Sequence, residues 1–519
     1  MRMTPRSGVA RLLALSALVA MSAGCAGGSS KASGKVPAGD IITMHLDGPL
    51  TSYDPVKGGS FQDAVADWAM YDPLVDFDSD GKIVAGLADS WTVTPTSANF
   101  KLRPGVSCSD GTKLTSQMVA DSLSRFFNPK SAAPFLGLVI GGKNTAKASA
   151  PDASSVTVTL QHPWSGLLPG LTAPFTGIVC PAGLKAPASL LTTTSGTGAY
   201  KSASQVSGAS YTLTRRADYN WGPRFAQAST AGRTPKALVL KVVQDESTRA
   251  NLMATGKLQI ASYATEAWTR FKGQSGFNVV NEAQSDTFLM FNENKGHPTT
   301  SPAVRKAISQ ALKRETINKV QSFGSGKLIS NLGETSYECA DPSLDPLITA
   351  YDPTAAAATL KGVKIRIIGT NLLAGGDANS YLLSALKAAG ADASLTNMNN
   401  ETWVGDLFAG KNDWDTTILV LGNTLSSLLE SGGFFVGAAP PAGLNLPNVQ
   451  NPAAAAAFVE AGASAGAAKC AALSKFQKAL LTNSDVLPIA TAPVNTLFTG
   501  STSGVVVKGF VMPGSIRIG

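Results

Sequence analysis

The chain has 519 residues, 44% of them hydrophobic and only 15% charged. That composition buries large cores and excludes a disordered or collagen-like protein. At roughly 150 residues per domain the length suggests about three to four domain-sized units. The formal net charge is +8, but Lys and Arg are scattered without a run, so nucleic-acid binding has no electrostatic footprint.

Residues 1–25 read MRMTPRSGVARLLALSALVAMSAGC. Arg2, Arg6 and Arg11 form a positive start, and Leu12–Met21 is an apolar core too short to cross a bilayer. Ser22-Ala23-Gly24 then precedes Cys25, an arrangement that resembles a bacterial lipobox, although Ser22 stands where Leu is commonest. Cleavage after residue 24 is expected to leave Cys25 as the lipidation site. It removes three arginines, so the +8 becomes +5 on a mature chain of 495 residues. The Gly/Ser-rich stretch to Gly39 reads as a flexible tether. No later apolar run reaches about 18 residues. The expected location is therefore the extracytoplasmic face of the cell membrane, reached through a lipid anchor.

Cys108, Cys180, Cys339 and Cys470 remain. An even number in an exported chain favours disulfides, with three possible connectivities. Sequence proximity favours Cys108–Cys180 and Cys339–Cys470.

In chain order, Ile41–Leu50 opens as an apolar strand that Pro55 closes off, and Phe61–Leu74 has helical periodicity. A hairpin is expected about Asp80-Gly81, followed by alternating strands at Gly86–Val93 and Asn99–Val106. Ser116–Phe127 reads as a helix with Val119, Leu123 and Phe126 on its apolar side. Asp76, Asp78 and Asp80 begin like a calcium loop, but Leu87 stands where a bidentate Glu is required. Gly137–Asn144 lacks the Ser/Thr of a phosphate loop. The three histidines are far apart, and no G-x-S-x-G elbow occurs. Neither a metal site nor catalysis is expected, and no cofactor. Further on, Val363–Gly369 and Thr416–Gly422 are β-branched strands. Helices Ala378–Ala389 and Asn400–Phe408 lie between them, a βαβ pattern around a parallel sheet. Pro452–Leu481 is Ala-rich and reads as one helix, and Leu487–Thr499 returns to strand.

Four blocks in register carry a resemblance. They are DPLVDFDSDGKIVAGLADSWTVTPTSANFKLRPGVSCSDGTKLTSQMVADSLSRF, SGTGAYKSASQVSGASYTLTRRADYNWGP, VVQDESTRANLMATGKLQIA and FLMFNENKGHPTTSPAVRKAISQALKRETI. Together they resemble bacterial extracellular solute-binding proteins of family 5, the substrate-binding subunits of peptide- and nickel-type ABC importers. The resemblance implies an α/β, two-lobed periplasmic-binding-protein-like fold, of the type II, large cluster C form, with an extra domain inserted in the first lobe. On that pattern residues 40–58, 196–285 and 495–519 form the first lobe's base. Residues 59–195 form the insert and 286–494 the second, βαβ lobe.

The implied function is non-enzymatic capture of a peptide or other medium-sized solute in the interlobe cleft by hinge closure. Delivery to a separate permease and ATPase follows, with the receptor a monomer. The same fold used for sensing or chaperoning is the alternative, and a secreted hydrolase a more distant one. Leu46–Thr51 and Leu421–Ser427 are expected to line the cleft, with Asp47, Gly48, Trp403, Gly422, Asn423 and Thr424 as candidate contacts. Trp403 could stack a ligand, and the Asn423 amide can donate and accept. Asp245, Arg249, Asn292 and Arg305 are read as braces of the fold. The second loop carries no acid before Glu430. A buried ammonium without a counter-charge is very unfavourable. Asp47, Asp67 or Glu430 must therefore serve a free-amine ligand, or the ligand is of another kind.

Overall fold

The computed structural model describes residues 38–78, 81–142, 144–222, 232–371, 374–422, 425 and 427–519. Cys25, Asn423 and Thr424, with the signal segment, most of the tether, Asp80 and Lys143, lie outside the described residues.

The first strand, β1 (Ile41–Leu46), buries Ile42, Met44 and Leu46. A short hairpin follows, β2 (Val75–Phe77) and β3 (Ile83–Ala85). Four strands then form a separate antiparallel sheet. These are β4 (Ala88–Thr94), β5 (Ser97–Leu102), β6 (Ala146–Asp152) and β7 (Ser155–Leu160), in the order β4-β5-β7-β6. The helix Ser116–Phe127, capped by Thr115, carries Val119, Leu123 and Phe126 into the core beneath it.

The chain returns to the first sheet with β8 (Tyr200–Val206), β9 (Ser210–Arg215), β10 (Ala237–Val242) and β11 (Ile260–Tyr263). Next comes β12 (Phe277–Phe291), a strand of 15 residues. The βαβ segment holds β13 (Lys364–Thr370), β14 (Asp392–Met398) and β15 (Thr416–Gly422), all parallel. The last long strand, β16 (Val486–Thr499), has 14 residues. The ten strands join in the order β14-β13-β15-β12-β16-β11-β1-β10-β9-β8. Only β12 and β16 connect the βαβ side to the β1 side, so these two antiparallel strands are the bridge between two lobes. Their register shifts between Ala283 and Ser285 and again between Thr287 and Phe288. Such irregularities break the pleat and let a strand bend.

Two disulfides form, Cys108–Cys180 and Cys339–Cys470. The first ties the inserted layer together, and the second ties the segment after the helix Arg314–Ser322 to the helix Gly466–Thr482.

Two expectations need correction. The helix Phe61–Met70 stops before Asp72-Pro73, since Pro cannot continue it. The Ala-rich stretch is two helices, Pro452–Ala463 and Gly466–Thr482, with Gly466 at φ +55° in the break. Its small residues also make room: a Cβ on Gly462 would lie 2.6 Å from the Trp164 ring. Gly198 is small because its backbone presses on Met70, 2.3 Å from where a Cβ would sit. Ser301 precedes Pro302 at the helix start, and its hydroxyl makes no capping hydrogen bond.

One apolar core runs from the inserted layer, through Phe100, Phe126 and Trp164, into the second lobe at Phe288, Trp403 and Phe435. The lobes also touch directly. The Ser165 amide donates to the Gly462 carbonyl at 2.6 Å, and the Trp164 and Phe458 rings lie 5.9 Å apart. The cleft in this state is shut.

Candidate functional site

The two glycines expected in the cleft meet the same helix start. Gly48 follows β1, where a Cβ would lie 3.4 Å from Gln62 Nε2. Gly422 ends β15 on the opposite lobe, where a Cβ would lie 2.3 Å from the Phe61 ring. Phe61 and Gln62 open the helix Phe61–Met70, which Ser60 and Asp63 fix by a reciprocal capping box. The Asp63 carboxylate also accepts from the Thr51 amide and hydroxyl, both at 2.9 Å. One acid thus locks the loop after β1 to this helix. The Phe61 and Trp68 rings both pack on Phe510, at centroid distances of 5.5 and 5.2 Å. Together they make an aromatic wall on the first lobe.

Asp47 is committed elsewhere. Its carboxylate pairs with Arg249 at 2.5 Å and lies 3.5 Å from His45 Nε2. Burial opposes its charge, but the Arg249 guanidinium and His45 hold it well below the usual carboxylate range. Burial, then Arg249, pulls the His45 pKa down. Arg249 also donates to the carbonyls of Val243, Gln244 and Ser262, so the group pins the end of β1 to β10 and β11. Arg305 does similar work in the second lobe, pairing with Asp485 at 2.7 Å and Glu293 at 3.2 Å. Asn292 holds the Trp414 carbonyl at 2.8 Å, and Asp245 caps its helix by accepting from the Thr248 amide.

Trp403 lies within the packed core, 2% exposed, its indole N–H donating to Thr417 Oγ1 at 3.1 Å. It is not among the side chains that meet across the cleft. Glu430 accepts from the Leu425 amide at 2.7 Å and so shapes the loop after β15. Asp67 is buried inside the first lobe. Burial, with Asp63 and Asp54 nearby, pushes its carboxyl well up.

The residue that sequence reasoning missed is Asp286. It sits on β12 between the two register shifts, opposite Leu421 of β15 and Thr491 of β16. It is 1% exposed, and among the described residues neither carboxylate oxygen has a well-formed hydrogen bond. Burial first, and Glu334 second, push its pKa up to about 8. The Tyr337 hydroxyl lies close enough to favour its charge, as does the Lys508 ammonium. Lys508 comes from the first lobe, on the turn of the hairpin formed by Val506–Val507 and Phe510–Val511. Its Nζ lies 5.0 Å from the ring centre of Tyr337, which belongs to the second lobe. The Gly509 amide in the same turn donates to Glu282 at 3.0 Å, and its carbonyl accepts from Gln284 at 3.3 Å. The floor of the cleft is therefore the bent part of β12, roofed by residues of both lobes.

Residues 82–425 match the family model "Bacterial extracellular solute-binding proteins, family 5 Middle". The chain belongs to that family. A substrate-binding protein from Microbacterium hydrocarbonoxydans, solved with 4-hydroxybenzoate hydrazide, is 31% identical. It superposes with a TM-score of 0.84 over 92% of this chain and 100% of its own. The periplasmic binding protein DppA of Helicobacter pylori, solved with peptide STSA, shares the fold at 18% identity, with a TM-score of 0.79 over 92% and 98% of the two chains. The glutathione-binding protein GsiB of Shigella dysenteriae serotype 1 is 26% identical over 366 residues, 69% of this chain and 66% of that relative. The fold is thus the α/β two-lobed form that the four sequence blocks imply.

Proposed function

We propose that the protein is the lipid-anchored, extracytoplasmic substrate-binding subunit of an ABC importer. It captures a peptide or other medium-sized solute between its lobes and hands it to a separate permease. The observation that carries the reading is the shut cleft on a two-strand bridge, with a buried, unbonded carboxylate in its floor. Solute contacts on both lobes favour the shut form, because only differential affinity can shift the hinge. The hinge is assigned to Ala283–Phe288 and the facing part of β16, with the insert moving as part of the first lobe. Gly48, Gly422, Phe61 and Tyr337 are assigned to the solute's surroundings, and Asn423 and Thr424 stay in that set from the sequence. The MSAGC motif supports the lipid anchor on Cys25. The family supports the role in import.

The ligands named for the relatives supply the first panel: glutathione, 4-hydroxybenzoate hydrazide and short peptides. A member of that panel, or a solute found by native mass spectrometry of the freshly purified protein, is expected to raise its melting temperature. No shift with any solute and no retained ligand would sink the reading. Cys25→Ser is expected to move the protein from the membrane to the soluble fraction, and retention at the membrane would sink the anchor.

A further inference from the structure

Asp286 is the feature of the cleft that the fold alone does not account for. The residues alternating with it on β12, Phe288 and Met290, face the apolar core of the second lobe. Thr287 faces the other way, where its hydroxyl accepts from Gln321 Nε2 at 3.0 Å. The apolar row thus ends in a carboxylate at the point where the strand bends. Of the other acids named around the cleft, Asp67 also carries an unbonded carboxylate oxygen but lies inside the first lobe, and three have partners. Asp47 has Arg249, Glu430 has the Leu425 amide, and Asp63 has Thr51 and Ser60. A buried carboxylate left without hydrogen bonds is strongly unfavourable. Repacking with an apolar residue would relieve that strain in a purely structural position.

The groups that act on Asp286 come from two elements. Tyr337 and Glu334 lie in the segment of the second lobe that Cys339 closes, and Lys508 lies in the first lobe's hairpin. Glu430 acts on Tyr337 from the loop after β15. Two acids and one lysine leave this corner with a surplus of negative charge. The Phe61, Trp68 and Phe510 rings supply apolar surface on the opposite wall.

We propose that Asp286 is the solute's counter-charge, and that the solute is a small organic ammonium ion with an aromatic or branched apolar body. The inference rests on the cleft being a solute-binding site. The ammonium supplies the hydrogen bonds that both carboxylate oxygens lack, and Tyr337 lies beside it. Because Asp286 sits between the two register shifts, the ion pair forms only where the strand is bent, and so it couples binding to closure. Lobe closure then completes the cage by bringing Lys508 over Tyr337 and Phe61 against Gly422. At neutral pH the empty site holds a proton that the ammonium displaces, so binding releases a proton. Affinity rises with pH until Asp286 is ionised without the ligand.

The experiment uses the full-length protein in detergent at pH 7. The probes are primary amines, from tyramine to free-amine dipeptides, each beside its N-acetyl derivative, together with glutathione and 4-hydroxybenzoate hydrazide. Thermal shift finds the binders, and calorimetry in buffers of differing ionisation enthalpy counts protons. At least one amine is expected to bind, its N-acetyl derivative at least tenfold more weakly, with proton release. Asp286→Asn is expected to weaken that amine at least tenfold and abolish the release. Asp286→Glu, which keeps the charge, is expected to retain more of the affinity than Asn. Equal binding of amine and N-acetyl derivative, or equal binding by wild type and Asp286→Asn, overturns the inference and leaves the cleft as a binding site. A wild type that binds no probe and retains no ligand overturns both. A folded melting transition for Asp286→Asn shows that any loss of binding is not loss of fold.

Discussion

Replacing Asp286 with Asn is expected to remove a pH-dependent destabilisation from the empty protein. An unfolded aspartic acid titrates at 3.8, and burial in the fold pushes Asp286 up to about 8. A carboxyl with a raised folded pKa binds its proton more tightly in the fold. Its stabilising share is therefore complete below 3.8 and is lost progressively as pH rises, until the loss levels off above about 8. Integrated from pH 5 to pH 8, that loss is about 4 kcal/mol. Asp286 is 1% exposed, so solvent screening takes little from that figure. Asp67, Asp76, Glu293 and Asp485 are also raised by burial. They are present in both proteins and cancel in the comparison. Urea midpoints measured at both pH values supply the test. Wild type is expected to lose up to about 4 kcal/mol more than Asp286→Asn across this interval. Parallel pH dependence in the two proteins would show that Asp286 is not buried unpaired, and would remove the physical basis for its role in the cleft.

Arg249→Met should lower stability by about 1–3 kcal/mol, chiefly because the carbonyls of Val243 and Gln244 lose a buried donor, the half-exposed Asp47 being solvated in its place. A denaturant series reads this, and a loss below about 1 kcal/mol contradicts the bracing role. Gly422→Val places methyl groups where a Cβ already lies 2.3 Å from the Phe61 ring. It is expected to hold the lobes apart, raising the radius of gyration in small-angle scattering, with partial rescue by Phe61→Ala. An unchanged radius would show that the two lobes do not meet there. The Cys108–Cys180 link closes a separation of 72 residues and Cys339–Cys470 one of 131. The chain-entropy model assigns them about 4 and about 5 kcal/mol. Paired serine variants should each lower the melting temperature, and non-reduced peptide mapping should recover only these two links.

Much of the fold was legible because its signals are local. The β-branched runs of β13 and β15, the alternation in β9 and β10 and the helix Ser116–Phe127 follow from periodicity over a few residues. Errors fell where a long-range neighbour decided the outcome. Gly198 and Gly462 are small because Met70 and Trp164 press on them from 128 and 298 positions away. Trp403 resembled a cleft aromatic by position, yet its indole nitrogen found Thr417 and its ring found the core. Asp286 had one readable signal. In SDTFLMF it keeps step with Phe288 and Met290, so a strand reading puts a carboxylate on a core-facing row.

By itself the sequence determines the order of strands and helices and the four blocks that mark the family, because each depends on neighbouring residues. Tertiary structure decides which carboxylate is free. Asp47 and Arg249 are 202 residues apart, and their pairing removes the acid that its position after β1 had favoured. Asp286 is left buried without a well-formed hydrogen bond only because strands and loops far apart in the chain pack around it. Partner satisfaction is a property of packing in three dimensions, and no local pattern in the chain encodes it.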